Sequence, residues 1–419
     1  MADKSPINAP VVWIDARDTA CGRRLWGMNL VERQIRQLCL RGVRSFWINV
    51  SPESAAAVSR FRPDLHRLYR FEQVIVQGFG APDLQDRLAA DGVDVLLLQG
   101  AAVYDDRVLE FLLDRKAGHC AGMDDGPVAA RLSAEQASRV LAADELRAEA
   151  RLLRQLHLQP TPVASLDSYV PSLRLTMTPI IEPIPAGGSL TRIDRLMYHR
   201  TFKGVIDVVA RYGYYHMVRW ITRQLSRTAI PPNMLTVLSI LAIWGAAPLL
   251  ATGWHGSGVI VAWAGVLLDS IDGKLARLRL HLSDVMGKVE HVVAMPGLGL
   301  WYVATGWYLT GGGLLDGGPM ARTTWILLAA FILDKCVTGG FKALAGKELF
   351  DYRPVDAAFH WIAARRNISL VLLTLGSVTG AMGPAFTAIT VWTVVTLFFH
   401  AARFAWIMAV TRLDHRLPG

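Results

Sequence analysis

Apolar and polar positions change their spacing twice along this chain. Over residues 11–115 short apolar runs alternate with segments of helical period. Val11–Ile14, Ser45–Val50, Val74–Val76 and Val93–Leu98 read as strands, and Leu30–Arg41 reads as an amphipathic helix that closes at Gly42. Strand–helix alternation of this kind predicts a parallel α/β sheet. Ala134–His157 predicts one helix with a strongly charged face, and Pro160–Pro185 a proline-punctuated connection. From Asp194 to Ala229 the pattern is helical, basic and aromatic. Such a segment, followed directly by a hydrophobic run, is expected to lie along a membrane surface. From Pro232 onward six apolar stretches follow, at about 233–253, 257–276, 288–310, 322–344, 366–385 and 387–411. Each is near the ~20 residues that cross ~30 Å of hydrocarbon. The expected architecture is an N-terminal α/β domain (1–188), an interfacial segment (189–231) and a C-terminal all-α six-helix transmembrane bundle (232–419).

Charge fixes the expected orientation. The net charge of +9 would suit nucleic acid, but the basic residues flank hydrophobic spans, which points to anionic lipid instead. Arg277, Arg279, His281 and Lys288 lie between the second and third stretches, and Lys342, Lys347, Arg353, Arg365 and Arg366 between the fourth and fifth. Trp254–Gly256, Gly311–Ala321 and Gly380–Pro384 carry no Lys or Arg. This asymmetry places both termini and the N-terminal domain in the cytoplasm, with the chain integral to the inner (cytoplasmic) membrane. An even number of spans agrees. Four scattered cysteines show no metal or disulfide spacing, and the polar N-terminus lacks a signal peptide's apolar core.

The chemistry concentrates in Asp269-Ser-Ile-Asp272-Gly273-Lys-Leu-Ala276-Arg277. Carboxylates three residues apart share one face of a helix. Inside a membrane such charges cost several kcal/mol and persist beside a partner, a metal or water. Hard cations such as Mg²⁺ and Mn²⁺ take oxygen ligands and often hold a phosphate as well. Arg277 can grip a phosphate in bidentate fashion, and Gly273 and Ala276 let a ligand or helix approach the backbone. Under the expected topology Asp269, Asp272, Glu290, His291, Asp334 and Lys335 all fall in one layer near the cytoplasmic surface. Asp334 with Lys335 reads equally as a local neutralising pair. Asp351, Asp356, His360, Arg365, Arg366 and Asn367 form a second polar cluster. It suits either an acceptor's phosphate or an ordinary anchor at the end of a loop.

These residues resemble the signature of the CDP-alcohol phosphotransferase family, Asp-x2-Asp-Gly-x2-Ala-Arg followed by Gly and two further aspartates. Pro231-Pro-Asn-Met-Leu-Thr236 also resembles the family's lead into its first membrane helix. The first half of the signature matches at every defined position. In the second half Gly287 follows with one residue of slippage, and the last two aspartate positions hold His291 and Met295, or Glu290 and Ala294 at the family's own spacing. The resemblance implies an integral-membrane transferase. A hydroxyl of an acceptor alcohol or alcohol phosphate would attack the β-phosphorus of a CDP-alcohol donor, of CDP-diacylglycerol or CDP-inositol type, and release CMP. It implies Mg²⁺ or Mn²⁺ on Asp269 and Asp272, with Glu290 replacing one missing ligand or Asp284 another. Gly273, Ala276 and Arg277 would border the cytidine diphosphate, and His291 or Glu290 would act as base. A homodimer is compatible with this reading.

The N-terminal stretch looks like a nucleotidyltransferase of the sugar-nucleotide type. Where that family has a Gly-rich loop, residues 16–25 keep one glycine, Gly22, beside Arg23 and Arg24. Where it has a metal-binding Gly-Asp, this chain has Gly100-Ala101, with Tyr104-Asp105-Asp106 following. A loop stripped of glycines brings backbone N–H groups less easily to a phosphate, so the domain reads as a degenerate scaffold. The domain order resembles bifunctional proteins that activate inositol phosphate with CTP and then condense CDP-inositol with a second inositol phosphate. Two other classes remain open. One is a non-catalytic membrane relative that binds nucleotide or partners, and the other is a transporter.

Overall fold

The computed structural model describes residues 10–62, 65, 73–78, 92–122, 129–141, 156, 158–281 and 284–414. They fall into two compact units. The first comprises Met1–Val170, Thr176–Arg200 and Leu278–His281, and the second Pro171–Leu175, Thr201–Arg277 and Leu282–Gly419.

The first unit is built on a seven-stranded sheet. Its strands are β1 (Val11–Ala16), β2 (Ser45–Val50), β3 (Gln73–Gly78), β4 (Val95–Gln99), β5 (His119–Ala121), β6 (Ala129–Leu132) and β7 (Gln159–Thr161). Their spatial order is β7-β5-β6-β4-β1-β2-β3. β1 pairs in parallel with β2 and β4, in registers that set Trp13 beside both Trp47 and Leu97. The sheet is not wholly parallel as expected, because β6 runs antiparallel to both β4 and β5. β6 is the short Ala-Ala-Arg-Leu, which lacks the β-branched alternation that marks a strand. β7 carries Pro160 within the stretch read as a connection, and it sits at the sheet edge, where a missing N–H costs nothing. Both faces are apolar: Val12, Ile14, Phe46, Ile48, Leu96 and Leu98 enter one core, and Trp13, Trp47, Val95 and Leu97 the other. Two covered faces explain why β1 and β4 read as near-continuous apolar runs.

Helix α1 (Leu30–Cys39) is capped by Asn29, whose side chain accepts from the Glu32 N–H. Its polar face is buried along with its apolar one. Glu32 and Arg36 pair one turn apart at 2.5 Å, and Gln34 donates to the carbonyls of Gln99, Gly100 and Ala102. Helices α2 (Pro52–Val58), α3 (Asp106–Asp114), α4 (Ala134–Leu141) and α5 (Thr191–His199) complete the unit. The helix expected over Ala134–His157 is described as far as Leu141; residues 142–155 and 157 lie outside the described residues.

The second unit is mostly helical. It contains α6 (Tyr215–Ser226), α7 (Pro232–Ala251), α8 (His255–Leu278), α9 (Asp284–Leu309), α10 (Pro319–Ala345), α11 (Pro354–His360), α12 (Arg366–Thr379) and α13 (Met382–Asp414). The interfacial stretch is not one continuous helix. Gly204 adopts φ +60°, Val209–Gly213 forms a π turn, and α6 starts only after it. Among the described residues three helices are long and apolar enough to cross a membrane: Pro232–Ala251, Pro319–Ala345 and residues 382–410 of α13. The fifth expected span, 366–385, is interrupted. α12 ends at Gly380, which caps it in the left-handed region (φ +72°), and its 14 residues reach only ~21 Å.

Small residues set the packing of α7 against α8 and α9. Gly265 lies so close to α7 that a Cβ there would sit 3.0 Å from the Ile243 nitrogen, and Ser239 Oγ donates to the Gly265 carbonyl at 2.9 Å. On α9, Gly297 meets Ile243, and Trp301 Nε1 donates to the Ile243 carbonyl at 2.7 Å. Close backbone approach of this sort replaces the hydrophobic drive that is missing between helices in lipid.

Candidate active site

The motif occupies the last two turns of α8. Asp272 is only 2% exposed, and its Oδ1 accepts from the Gly273 N–H at 2.5 Å. The Arg277 guanidinium folds back over Gly273, where a Cβ would lie 3.2 Å from Arg277 Nη2. Glycine at 273 thus leaves room for the arginine to lie along its own helix. Lys274 Nζ donates to the Ser270 carbonyl at 3.0 Å and stands 4.9 Å from the centre of the Phe202 ring, which stacks on Tyr215. Asp269 forms an ion pair with Arg366, the first residue of α12.

A second set of polar groups joins that pair. Asn367 Nδ2 donates to Asp207 Oδ2 at 2.8 Å and to the Tyr214 hydroxyl at 2.9 Å. The Tyr214 hydroxyl lies 3.5 Å from Ser270 Oγ on α8. Asp207 also accepts from the Ala210 N–H, and Arg365 Nη1 approaches its carboxylate at 3.9 Å. Burial, with the Asp207 carboxylate nearby, raises the Tyr214 phenol, which stays protonated and able to donate. Sequence reading put Asp269, Arg365, Arg366 and Asn367 in two clusters; the structure brings them into one. It missed Asp207. The available signal was a lone acid in the otherwise basic 195–227 stretch.

Asp356 and His360, from the expected second cluster, have other partners. Asp356 binds Arg403 in bidentate fashion at 2.5 and 2.9 Å. His360 packs against the Phe350 ring at 4.2 Å, and burial, with Arg365 next, pushes its imidazole down to about 2. It is therefore neutral at physiological pH. Asp334 pairs with Lys335 at 3.3 Å, but it also meets His400 Nδ1 at 2.6 Å, joining α10 to α13. The pairing with Lys335 is one of the two readings the sequence offers, whereas the His400 partner, 66 positions away, has no local signal. Asp284, Gly287, Glu290 and His291 belong to α9, and their side chains lie outside the described residues, as does that of Met295.

Whether these groups suit a divalent cation turns on the donor set. Two carboxylates on one face of α8 are the hard oxygen ligands Mg²⁺ or Mn²⁺ prefer. Among the described residues no group of three His, Cys, Asp or Glu gathers, and the sequence candidates for a further ligand, Asp284 and Glu290, have side chains outside them.

In the first unit the crevice beyond β1 and β4, where open α/β sheets bind ligands, is filled by the chain itself. The Gly100 N–H donates to the Asp15 carbonyl at 2.7 Å, and a Cβ on Gly100 would lie 2.9 Å from Cys21 Sγ. Arg17 closes on Asp15 at 2.8 and 2.9 Å. Arg23 donates to the carbonyls of Pro185, Gly187 and Gly188, so its guanidinium is spent on the chain's own backbone. Asp105, the carboxylate nearest the lost Gly-Asp, caps α3 and is held by Arg107 and Arg200.

The fold and site thus combine an α/β unit and a helical unit with membrane-length helices, whose buried acids sit among arginines. No family model and no curated protein matches the chain. Among solved structures it is similar to two crystal structures of the phosphatidylinositol phosphate synthase of Mycobacterium tuberculosis. The one with CDP-DAG bound is 18% identical, with a TM-score of 0.36, over 45% of this chain and 94% of that chain. The one in complex with manganese and citrate is 21% identical, with a TM-score of 0.36, over 45% of this chain and 88% of that chain.

Proposed function

We propose that the chain is an integral-membrane CDP-alcohol phosphotransferase that moves a phospho-alcohol or phosphatidyl group to an acceptor alcohol. The observation that carries this reading is the intact Asp269-x2-Asp272-Gly273-x2-Ala276-Arg277 at the end of α8, with Asp272 buried and Asp269 paired with Arg366. Asp269 and Asp272, with Glu290, would hold Mg²⁺ or Mn²⁺, which when bound neutralises the donor's diphosphate. Gly273, Ala276 and Arg277 border that diphosphate, Arg277 by its fork of donors. Arg365, Arg366 and Asn367 receive the acceptor's polar head.

The acceptor oxygen attacks the donor's β-phosphorus, the bond from that phosphorus to the bridging oxygen breaks, and CMP leaves with the electron pair. The hydroxyl proton passes to His291 or Glu290. Held reactants and preplaced charge supply the rate, as in other phosphoryl transfers. The first unit acts as a scaffold, since the chain's own groups fill its crevice.

A panel experiment tests the reading. Membranes carrying the full chain are incubated with CDP-diacylglycerol or CDP-inositol and a range of alcohol and alcohol-phosphate acceptors, and CMP is measured. CMP formed with one donor–acceptor pair supports the transferase. Tight nucleotide binding with no CMP from any pair supports the non-catalytic relative instead, a reading favoured by the missing fourth acid.

A further inference from the structure

We propose that Arg366 is an exchangeable partner of the α8 carboxylates. A divalent cation and the Arg366 guanidinium compete for Asp269, and the displaced arginine turns to the phosphate of an anionic acceptor. This rests on the reading of Asp269 and Asp272 as cation ligands.

The pair spans two helices, from the motif on α8 to the first residue of α12, with the Asp269 side chain 15% and the Arg366 side chain 28% exposed. A guanidinium fork fits a carboxylate and a phosphate about equally well, so a change of partner needs little rearrangement. A hard cation sits ~2.0–2.1 Å from its oxygens, and it cannot share Asp269 Oδ2 with a guanidinium without strong like-charge repulsion.

The surroundings tell where the freed arginine goes. Arg366 starts a 14-residue helix, whose N-terminal end is itself positive and disfavours an unmatched cation. Arg365 precedes it and stands 3.9 Å from Asp207. An anion at this end would meet two arginines and the first free N–H groups of α12. The next residue adds an independent sign of a ligand. Asn367 is more than nine-tenths buried and spends its amide N–H groups on Asp207 and Tyr214, yet among the described residues its Oδ1 accepts no hydrogen bond. A buried acceptor left unmatched is costly. A hydroxyl donor on a phosphorylated polyol would satisfy it while the phosphate takes Arg366. Cation and anion binding are then positively linked, and each raises the other's affinity by the same factor.

The test titrates Mn²⁺ into the full-length protein in detergent, following free Mn²⁺ by electron paramagnetic resonance, with and without inorganic phosphate. Arg366→Ala should bind Mn²⁺ about 5- to 30-fold more tightly than wild type, the worth of a partly buried ion pair. Phosphate should tighten Mn²⁺ binding in wild type and leave Arg366→Ala unchanged. Arg366→Lys, a point charge without the fork, should shift Mn²⁺ affinity in the same direction by less, and it carries the test if the alanine variant fails to fold. Unchanged or weaker Mn²⁺ binding in both variants overturns the exchange. Mn²⁺ binding that needs Asp269 but ignores Arg366 removes this inference alone, whereas binding that survives Asp269→Asn, or is absent from every variant, removes the cation reading beneath it.

Discussion

Asp105 separates a structural acid from a catalytic one in the first unit. Its carboxylate caps α3 through the Arg107 N–H at 3.1 Å, takes Arg107 Nε and Nη2 at 2.9 Å each, and takes Arg200 Nη2 at 2.5 Å. Its side chain is 10% exposed, and the side chains of Arg107 and Arg200 are 14% and 19% exposed. Losing a cap costs ~1 kcal/mol, and stranding a buried partner ~3–5 kcal/mol. Because both arginines keep some water, Asp105→Ala should cost the unit about 2–4 kcal/mol. Asp105→Asn, which keeps a capping oxygen, should cost about 1 kcal/mol less. In a unit of this size that is a fall of roughly 5–10 °C in its own transition.

Burial alone would raise this carboxyl, but the hydrogen bonds from Arg107 and Arg200 outweigh it and hold it below the usual carboxylate range. Its contribution is therefore present above about pH 3.9 and is lost as pH falls through the folded value. The assay is hydrogen exchange on the full chain in detergent, reading the α3 and α5 amides, with and without CTP and Mn²⁺. The structural account requires faster exchange in Asp105→Ala that nucleotide and metal do not alter. Wild-type exchange combined with loss of a Mn²⁺-dependent CTP effect would refute it and make Asp105 a metal ligand.

Three further outcomes follow from particular contacts. Because His360 is held neutral down to about 2 while an unfolded histidine titrates near 6.5, the unfolded state binds the extra proton between these values. Thermal stability should fall as pH drops below about 6.5, by up to ~1.4 kcal/mol per unit, and His360→Phe should flatten that slope; an unaltered slope would contradict the assignment. Gly204 combines φ +60° with a site where a Cβ would lie 2.7 Å from the Phe350 ring, so Gly204→Ala should lower stability by about 1–3 kcal/mol in a melting experiment. Asp334→Ala breaks the link to His400 and should lower stability while leaving the KM for any CDP-alcohol unchanged; a raised KM would place Asp334 in the site.

The sequence was most readable where periodicity was strong. β2 is bounded to the residue, β1, β3 and β4 to within two or three residues, and α7 to α10 and α13 fall close to the apolar runs that predict them. β6 and β7 escaped because Ala-Ala-Arg-Leu and Gln-Pro-Thr carry no strand pattern, and their pairing is decided by neighbours far along the chain. α12 was read too long because hydropathy does not register the backbone reversal that Gly380 permits. At the site, the i, i+3 carboxylates and Arg277 were visible as a local motif. The Asp269–Arg366 pair and the Asp207–Asn367–Tyr214 chain were not, since they join residues 97, 160 and 153 positions apart.

The central claim is that Asp269 and Asp272 together grasp the cation that carries the donor's diphosphate. Mn²⁺-dependent CMP release, measured on full-length wild type, Asp269→Asn and Asp272→Asn with the best donor–acceptor pair, tests it most directly. Loss of CMP in both variants, at unchanged melting temperature and with no rescue by raised Mn²⁺, is the predicted result. Release persisting at the wild-type rate in either variant would contradict it.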